Sequence, residues 1–599
     1  MAKYQTEIGS VISVSGNSVT VQLSDSVKSN SPIIDGVVYR IGQIGSFLKI
    51  PLGYASLFGI VTKIGAAAIP ENISAALKDN YDILTNRQWL TLTLIGEQIG
   101  SRFERGISQS PTTGDSVHIV TLSDLEYVYG GYDKKASINV GNISVSESLN
   151  AYLCLDRLIS RHFAILGSTG SGKSNAVGII LNAIIEKKLP RARILLLDPH
   201  GEYNSVFGNS SRVFQVNSSC NEQRLFIPYW ALSFSEFINL FDGTLNDANR
   251  EYLRTKIVDA KTQGAKVNRI PIDPAMITAD SPIPFSVKQL WFELDDFERQ
   301  TFAERADPTT KQLIKKGDAN DLISNEYKPA AAGGGKPFLN NQAKGILGYL
   351  DSLRSRLKDT RYAFLFKPGD YTPDLTGKIE KDLSKLLFSW VGNNEPVTIL
   401  DISDVPSEIM MSIAGTLLNI VYEAMFWGQD SQVGGRHQPL LIALEEAHNY
   451  LRSGESSIAS RTVQRIAKEG RKYGVGLLLV TQRPSELDET VLSQCGTIIA
   501  LRMNNSKDRG YVAAAIQDEL QAIVDLLPSL RTGEGILSGE GVSIPSRIQF
   551  YKLSNAPKSA DPEVTSKWSK DCSQNEDDYK QLVSLWRNKK FRMEKIKNE

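Results

Sequence analysis

The chain has 599 residues, with 67 Lys and Arg against 67 Asp and Glu, so its formal net charge is zero. Hydrophobic residues make up 41% and charged residues 22%, ordinary values that exclude a collagen, a wholly disordered chain and a coiled-coil rod. Neutrality excludes a uniformly basic nucleic-acid coat but permits a basic channel, because charge acts locally.

Residues 1 to about 130 read as β structure. Val11–Ser15 and Ser18–Leu23 flank Gly16-Asn17, a hairpin turn pair, and Val37–Ile41, Leu57–Thr62 and Leu90–Ile95 follow. Short strands separated by glycines predict a small barrel. Residues 131–155 read as a connector. From about 156 to 550 the pattern becomes α/β. Apolar runs at Phe163–Leu166, Ile194–Leu197, Val397–Leu400, Leu440–Leu444, Gly476–Val480 and Thr497–Leu501 alternate with helical segments. That predicts a parallel sheet covered on both faces.

Between Asp198 and Val397 the amphipathic stretches Ser233–Phe241, Ala248–Lys261 and Phe285–Glu298 predict an inserted helical subdomain over about 205–390. It carries a basic cluster, Arg250, Arg254, Lys256, Lys261 and Lys266, read either as a DNA-facing patch or as a solvated helix face. Lys328–Pro337 is a linker; its Gly-Gly-Gly-Lys run has Pro337 where a phosphate loop needs Ser or Thr. The tail, 551–599, ends in a helix predicted over Asp578–Lys597 with a basic end, Arg587 to Lys597.

Four cysteines without a CxxC pair argue against a disulfide framework or zinc ribbon. The start, MAKYQTEIGS, lacks a signal-peptide core, and the apolar segment Ser412–Trp427 is interrupted by Asn419 and Glu423. The expectation is a cytoplasmic protein with no membrane span.

Chemistry enters at Gly167-Ser168-Thr169-Gly170-Ser171-Gly172-Lys173-Ser174, which fits G-x-x-x-x-G-K-[ST] between a strand and a helix. The glycines let peptide N–H groups wrap phosphates, Lys173 adds charge, and Ser174 offers its hydroxyl to Mg²⁺. ATP and Mg²⁺ are therefore the expected ligands. Asp198-Pro199-His200-Gly201-Glu202 follows the second core strand. Asp198 and Glu202 either orient magnesium or water, or cap a turn. Leu440–Leu444 runs into Glu445-Glu446, read as a magnesium-side carboxylate followed by a general base. His448 is read as coupling that pair to the following chain. Arg471, at the end of a helix predicted over Ile458–Lys472, is either an arginine finger or a solvated helix end. Gln482, after the next strand, is either a γ-phosphate sensor or a polar strand end.

Taken in order, Arg161–Asn175, Asp198–Tyr203, Ile227–Trp230, Arg356–Phe366, Leu400–Ser403, Glu445–Asn449, Glu469–Gly474 and Thr481–Pro484 resemble the HerA family of the HerA/FtsK class. The resemblance covers residues 1 to about 550. It implies a RecA-like P-loop ATPase core with an N-terminal small β-barrel. It further implies a homo-hexameric ring with ATP between subunits and double-stranded DNA in the pore. Asn175 joins the nucleotide-binding loop by the same match. Arg471 becomes a trans-acting finger and Arg161 a second basic group at the subunit boundary. Relatives dock a nuclease or a sirtuin-like NAD-hydrolysing effector on the barrel face, in bacteria within anti-phage systems. The alternative function is a nucleotide-gated scaffold that activates an effector without obligatory translocation.

Overall fold

The computed structural model describes residues 6–588 except 25–32, 35–36, 39–42, 67–87, 101, 131–132, 134, 145, 219, 242, 244, 305–306, 308, 331–334, 455–456, 517–520, 558–563 and 570–574. Residues 39–41 of the expected third strand, most of the glycine run at 333–336 and the basic residues from 589 onward lie outside the described residues.

The barrel begins with β1 (Glu7–Ser15) and β2 (Ser18–Leu23), joined through Gly16 at φ 61°, a left-handed turn that glycine adopts without strain. Then come β3 (Phe47–Leu52), β4 (Ala55–Ala66), β5 (Gln88–Ile99), β6 (Arg102–Arg105) and β7 (Ser116–Ile119). The order β2-β1-β7-β3-β4-β5 closes on itself because β5 also pairs with β2, and β6 hangs on β5. Alternate residues such as Val19 and Val21, or Leu90 and Leu92, point inward and are fully buried. Helix α1 (Leu122–Gly130) follows. Arg105 fastens the barrel to the core, donating to the carbonyls of Ser543 (2.7 Å), Gly539 (2.6 Å) and Val542.

The core is one 11-stranded sheet. Residues 137–154, expected as a connector, are two of its strands, β8 (Ser137–Ile143) and β9 (Ser146–Cys154). Their polar, Gly- and Asn-containing sequences carry no apolar run, and antiparallel pairing of β8 with a later strand places them at one sheet edge. Then come α2 (Leu155–Arg161), β10 (Phe163–Leu166), α3 (Lys173–Glu186), β11 (Ile194–Asp198) and β12 (Ser211–Gln215). Because β12 pairs in parallel with the strand Val397–Asp401, residues 211–215 belong to the core, and the insertion starts later than about 205.

The insertion holds α4 (Phe234–Asn239), α5 (Asp247–Val267), α6 (Val287–Arg299), α7 (Leu347–Lys358) and α8 (Leu383–Val391). It also holds two short ribbons, Thr301–Phe302 with Phe338–Leu339 and Leu313–Lys315 with Glu326–Tyr327. The core resumes with β13 (Val397–Asp401), α9 (Met410–Trp427), β14 (Leu440–Leu444), α10 (Ile458–Glu469), β15 (Val475–Thr481), β16 (Thr497–Leu501), α11 (Ser506–Ala515), β17 (Glu534–Gly539) and β18 (Ser546–Phe550). The sheet order is β9-β8-β18-β17-β16-β10-β15-β14-β11-β13-β12, with β16 through β12 mutually parallel. Among the described residues α9 is the one helix long and apolar enough to match a membrane span, and 56% of it is buried inside the fold. A final helix, α12 (Glu576–Asn588), closes the described chain.

One member of the expected basic cluster is not on a surface. Lys261 is 1% exposed, with its ammonium donating to the carbonyls of Ala279 (2.7 Å), Ser281 (2.6 Å) and Trp230 (3.4 Å). Burial pulls its pKa down to about 7. Lys261→Met keeps the stem but leaves the carbonyls of Ala279 and Trp230 without a donor, at about 1–3 kcal/mol for each that stays dry, while Ser281 O keeps the Ile283 N–H. The expected result is a melting temperature several degrees lower, measured by thermal unfolding; an unchanged melt contradicts the buried anchor.

Candidate nucleotide site

The loop after β10 is built to hold an anion. Gly170 (φ 72°) and Gly172 (φ 101°) take left-handed backbone, and a Cβ on Gly167 would lie 2.8 Å from Leu501 Cβ. Three contacts fix the loop: Gly167 N–H to Thr481 O, Ser168 N–H to Arg502 O, and Gly533 N–H to Ser171 O. The N–H groups of Thr169, Gly170, Gly172, Lys173, Ser174 and Asn175 find no acceptor among the described residues. That row of unpaired donors at the start of α3 is a cradle for phosphate oxygens. The Lys173 ammonium, 8% exposed, has among the described residues only a long contact (3.4 Å) to Ser168 O.

Beside this cradle stands an acidic wall. Ser174 Oγ donates to Glu202 (3.0 Å). Glu445 is fully buried and accepts from the Tyr203 hydroxyl (3.1 Å), while the Tyr450 hydroxyl donates to its carbonyl. Burial first, then the charges of Glu446 and Asp198, push the Glu445 pKa up to about 8. Glu446 has left-handed backbone (φ 45°, ψ 50°), a strained geometry that clusters at functional sites. It is buried, and its Oε2 has no hydrogen-bond donor among the described residues. His448 Nδ1 is 3.3 Å away, but its hydrogen bond goes to Thr481 Oγ1 (3.0 Å). Burial lowers the His448 pKa, so the imidazole is neutral beside that carboxylate. Gln482 reaches the cradle from the end of β15, its Oε1 accepting from Thr169 Oγ1.

These residues fit Mg²⁺ and a nucleoside triphosphate. Ser174, with Glu202 and Glu445 behind it, would hold the ion. Among the described residues no set of three or more His, Cys, Asp or Glu forms a metal site, and Mg²⁺ held partly by phosphate oxygens needs none.

Asp198 accepts N–H bonds from His200 (3.1 Å), Gly201 (2.9 Å) and Tyr203 (3.0 Å), the turn-capping alternative, in the turn that presents Glu202. Asn175 joins the cradle through its N–H, while its side chain bonds Tyr551 O (2.8 Å) and Leu553 N–H (3.0 Å). His200 is exposed.

Arg161 and Arg471 are elsewhere. Both precede their strands, β10 and β15, whereas the cradle and Gln482 follow them. Seven residues of β15 separate Arg471 from Gln482, about 23 Å at 3.3 Å per residue. His162 joins the two arginines' neighbourhoods: its Nδ1 accepts from Leu477 N–H (3.0 Å) and its Nε2 faces Ala467 O (3.2 Å). Arg161 pairs with Glu540 (3.5 Å), while no partner for the exposed Arg471 guanidinium occurs among the described residues. Sequence reasoning missed Tyr203, Tyr450, Gly533 and Arg502. Arg502 ends a strand next to β10, so the rule that singled out Gln482 applies to it equally.

Residues 138–421 match the family model "Helicase HerA, central domain" and residues 399–581 match "Helicase HerA-like C-terminal". The chain is 25% identical over 457 residues to the DNA double-strand break repair helicase HerA of Pyrococcus furiosus, covering 74% of this chain and 73% of that one. It is 27% identical over 466 residues to the probable DNA double-strand break repair helicase HerA of Methanocaldococcus jannaschii, covering 75% and 83%. Among solved structures it is similar to plasmid coupling protein TrwB with an ATP analogue, at 13% identity, 74% and 95% coverage and a TM-score of 0.43.

Glu445 gives a pH test in the ligand-free protein. Its folded pKa lies above its ordinary 4.5, so the native state holds the extra proton and this group's contribution to stability falls as pH rises from about 4.5 to 8. Glu445→Gln is expected to melt several degrees above wild type at pH 8.5, with the advantage gone by pH 5. A pH-independent difference contradicts this account.

Proposed function

Since the chain belongs to the HerA helicase family, we propose that it is an ATP-hydrolysing hexameric ring motor that translocates on or unwinds double-stranded DNA. The observation that carries this reading is the separation of Arg471 from its own cradle. A cation at the amino end of β15 serves a γ-phosphate only when another copy supplies the phosphate, and head-to-tail copies close into a ring.

Within such a ring the orphan N–H groups and Lys173 bind the phosphates of ATP, and Ser174 would help hold Mg²⁺, which would supply positive charge against the phosphates. Gln482 orients the attacking water. Glu446, buried with a donor-free oxygen, accepts the water's proton. Arg471 of the adjacent copy stabilises charge on the transferring phosphoryl group, and Arg161 lies at the same boundary. DNA passes through the pore, held by backbone phosphates without sequence preference. We further propose a nuclease or sirtuin-like effector docked on the barrel, whose β3–β4 turn exposes Tyr54 at 70%. The setting we propose is anti-phage defence in the cytoplasm, where the free Cys154, Cys220 and Cys495 stay reduced.

Lys173→Ala is expected to lose nucleotide binding. Glu446→Gln is expected to bind nucleotide but lose about a hundredfold or more in turnover. Double-stranded DNA should stimulate wild-type turnover, less so as salt rises. Turnover indifferent to DNA at low salt contradicts the motor reading.

A further inference from the structure

Arg502 has no part in the reaction described above, yet it touches the cradle. We propose that Arg502 is a second phosphate-contacting cation that acts in cis, on the triphosphate held by its own chain. The inference rests on the reading of the loop as a nucleotide site.

Three observations carry it. The first is position. β10 lies between β15 and β16, so the loop that follows it is flanked by the residues that end those two strands, Gln482 on one side and Arg502 on the other. Gln482 holds Thr169 and Arg502 holds Gly170, so the loop's apex is gripped from both sides. The second is fixation. Arg502 O accepts both the Ser168 N–H (3.0 Å) and the Ser168 hydroxyl (2.9 Å), so the root of its side chain is tied to the loop and stays with it.

The third is unsatisfied charge. The guanidinium donates one long bond, Nη2 to Gly170 O at 3.3 Å, and no carboxylate lies within ion-pair distance among the described residues. Four arginines elsewhere pair with carboxylates: Arg299 with Asp295, Arg361 with Asp359, Arg465 with Glu423 and Arg483 with Glu486. Glu534, on the strand beside β16, is taken by Arg547 (2.8 Å) and by the Arg531 N–H (2.8 Å). A half-buried guanidinium with a neutral carbonyl as its one partner, next to a row of unpaired N–H groups, gains most from a multiply charged oxyanion. Phosphate supplies that anion and allows two parallel N–H···O bonds. Arg502 then complements Arg471: one cation comes from the chain that owns the cradle, the other from its neighbour.

The test is calorimetric titration of the full-length protein with a non-hydrolysable ATP analogue and with ADP, alongside thermal melts of the nucleotide-free forms. Arg502→Gln removes the charge and shortens the side chain; Arg502→Lys keeps the charge. The expected result is a loss of about tenfold or more in analogue affinity for Gln, a smaller loss for Lys and a smaller effect on ADP, with nucleotide-free melts unchanged. Wild-type affinity in Arg502→Gln overturns the proposal. So do equal losses in both variants with lowered melts, which would make Arg502 only a clamp on the loop. Lys173→Ala separates the premises: if it binds the analogue as wild type does, the nucleotide-site reading itself fails, and this inference with it.

Discussion

A parallel strand has two different ends, and that polarity governs everything in this molecule that resembles chemistry. Seven neighbouring strands run the same way. Their carboxyl ends deliver the phosphate cradle from β10, the Asp198 turn with Glu202 from β11, Glu445-Glu446 from β14, Gln482 from β15 and Arg502 from β16. Ligands collect at such an edge because loops and helix N-termini converge there. The same polarity holds Arg161 and Arg471 at the opposite edge. No rotamer change carries an arginine along the length of β15, so the fold keeps these arginines and the phosphate cradle at opposite ends of the sheet.

The phosphate-binding half is electrostatically unfinished on its own. Buried Glu445 lies in the field of Glu446 and Asp198, with Lys173 as the cation that offsets it, and unpaired N–H groups start α3 nearby. Burial raises the Glu445 pKa to about 8 and that of Asp198 to about 6, so the wall is partly protonated at neutral pH. Tyr203 and Tyr450, both fully buried, hold Glu445 through its carboxylate and its carbonyl. Glu446 has left-handed backbone, and His448, 3.3 Å from its Oε2, hydrogen-bonds Thr481 and so is tied to β15. An acid poised in this way costs stability and keeps its reactivity.

Local pattern made part of this legible. The cradle is a contiguous eight-residue motif, and the core strands are unbroken apolar runs, so both could be read directly. Strands β8 and β9 could not, because their pairing is set by the distant β18, and β12 has the polar, half-exposed composition of an edge. The roles of Asp198 and Asn175 depended on where their oxygens and amide ended up, one inside a turn and the other against Tyr551, which spacing does not encode. Lys261 looked like a surface charge because its helix is polar, and only the tertiary fold closes carbonyls around it. Arg502 was hidden for a different reason: it belongs to no linear motif and matters only because β16 lies beside β10.

The central claim is that a working site needs residues from two chains. It is tested most directly by mixing two inactive variants, Glu446→Gln and Arg471→Ala, each shown to assemble alone, and measuring ATP hydrolysis of the mixture. In a randomly mixed ring about a quarter of the interfaces would pair an intact Glu446 with an intact Arg471 from the neighbour. The account predicts that activity absent from both parents returns in the mixture, rising and falling with the mixing ratio. Mixed rings as inactive as their parents would contradict it and place both residues in one chain's site.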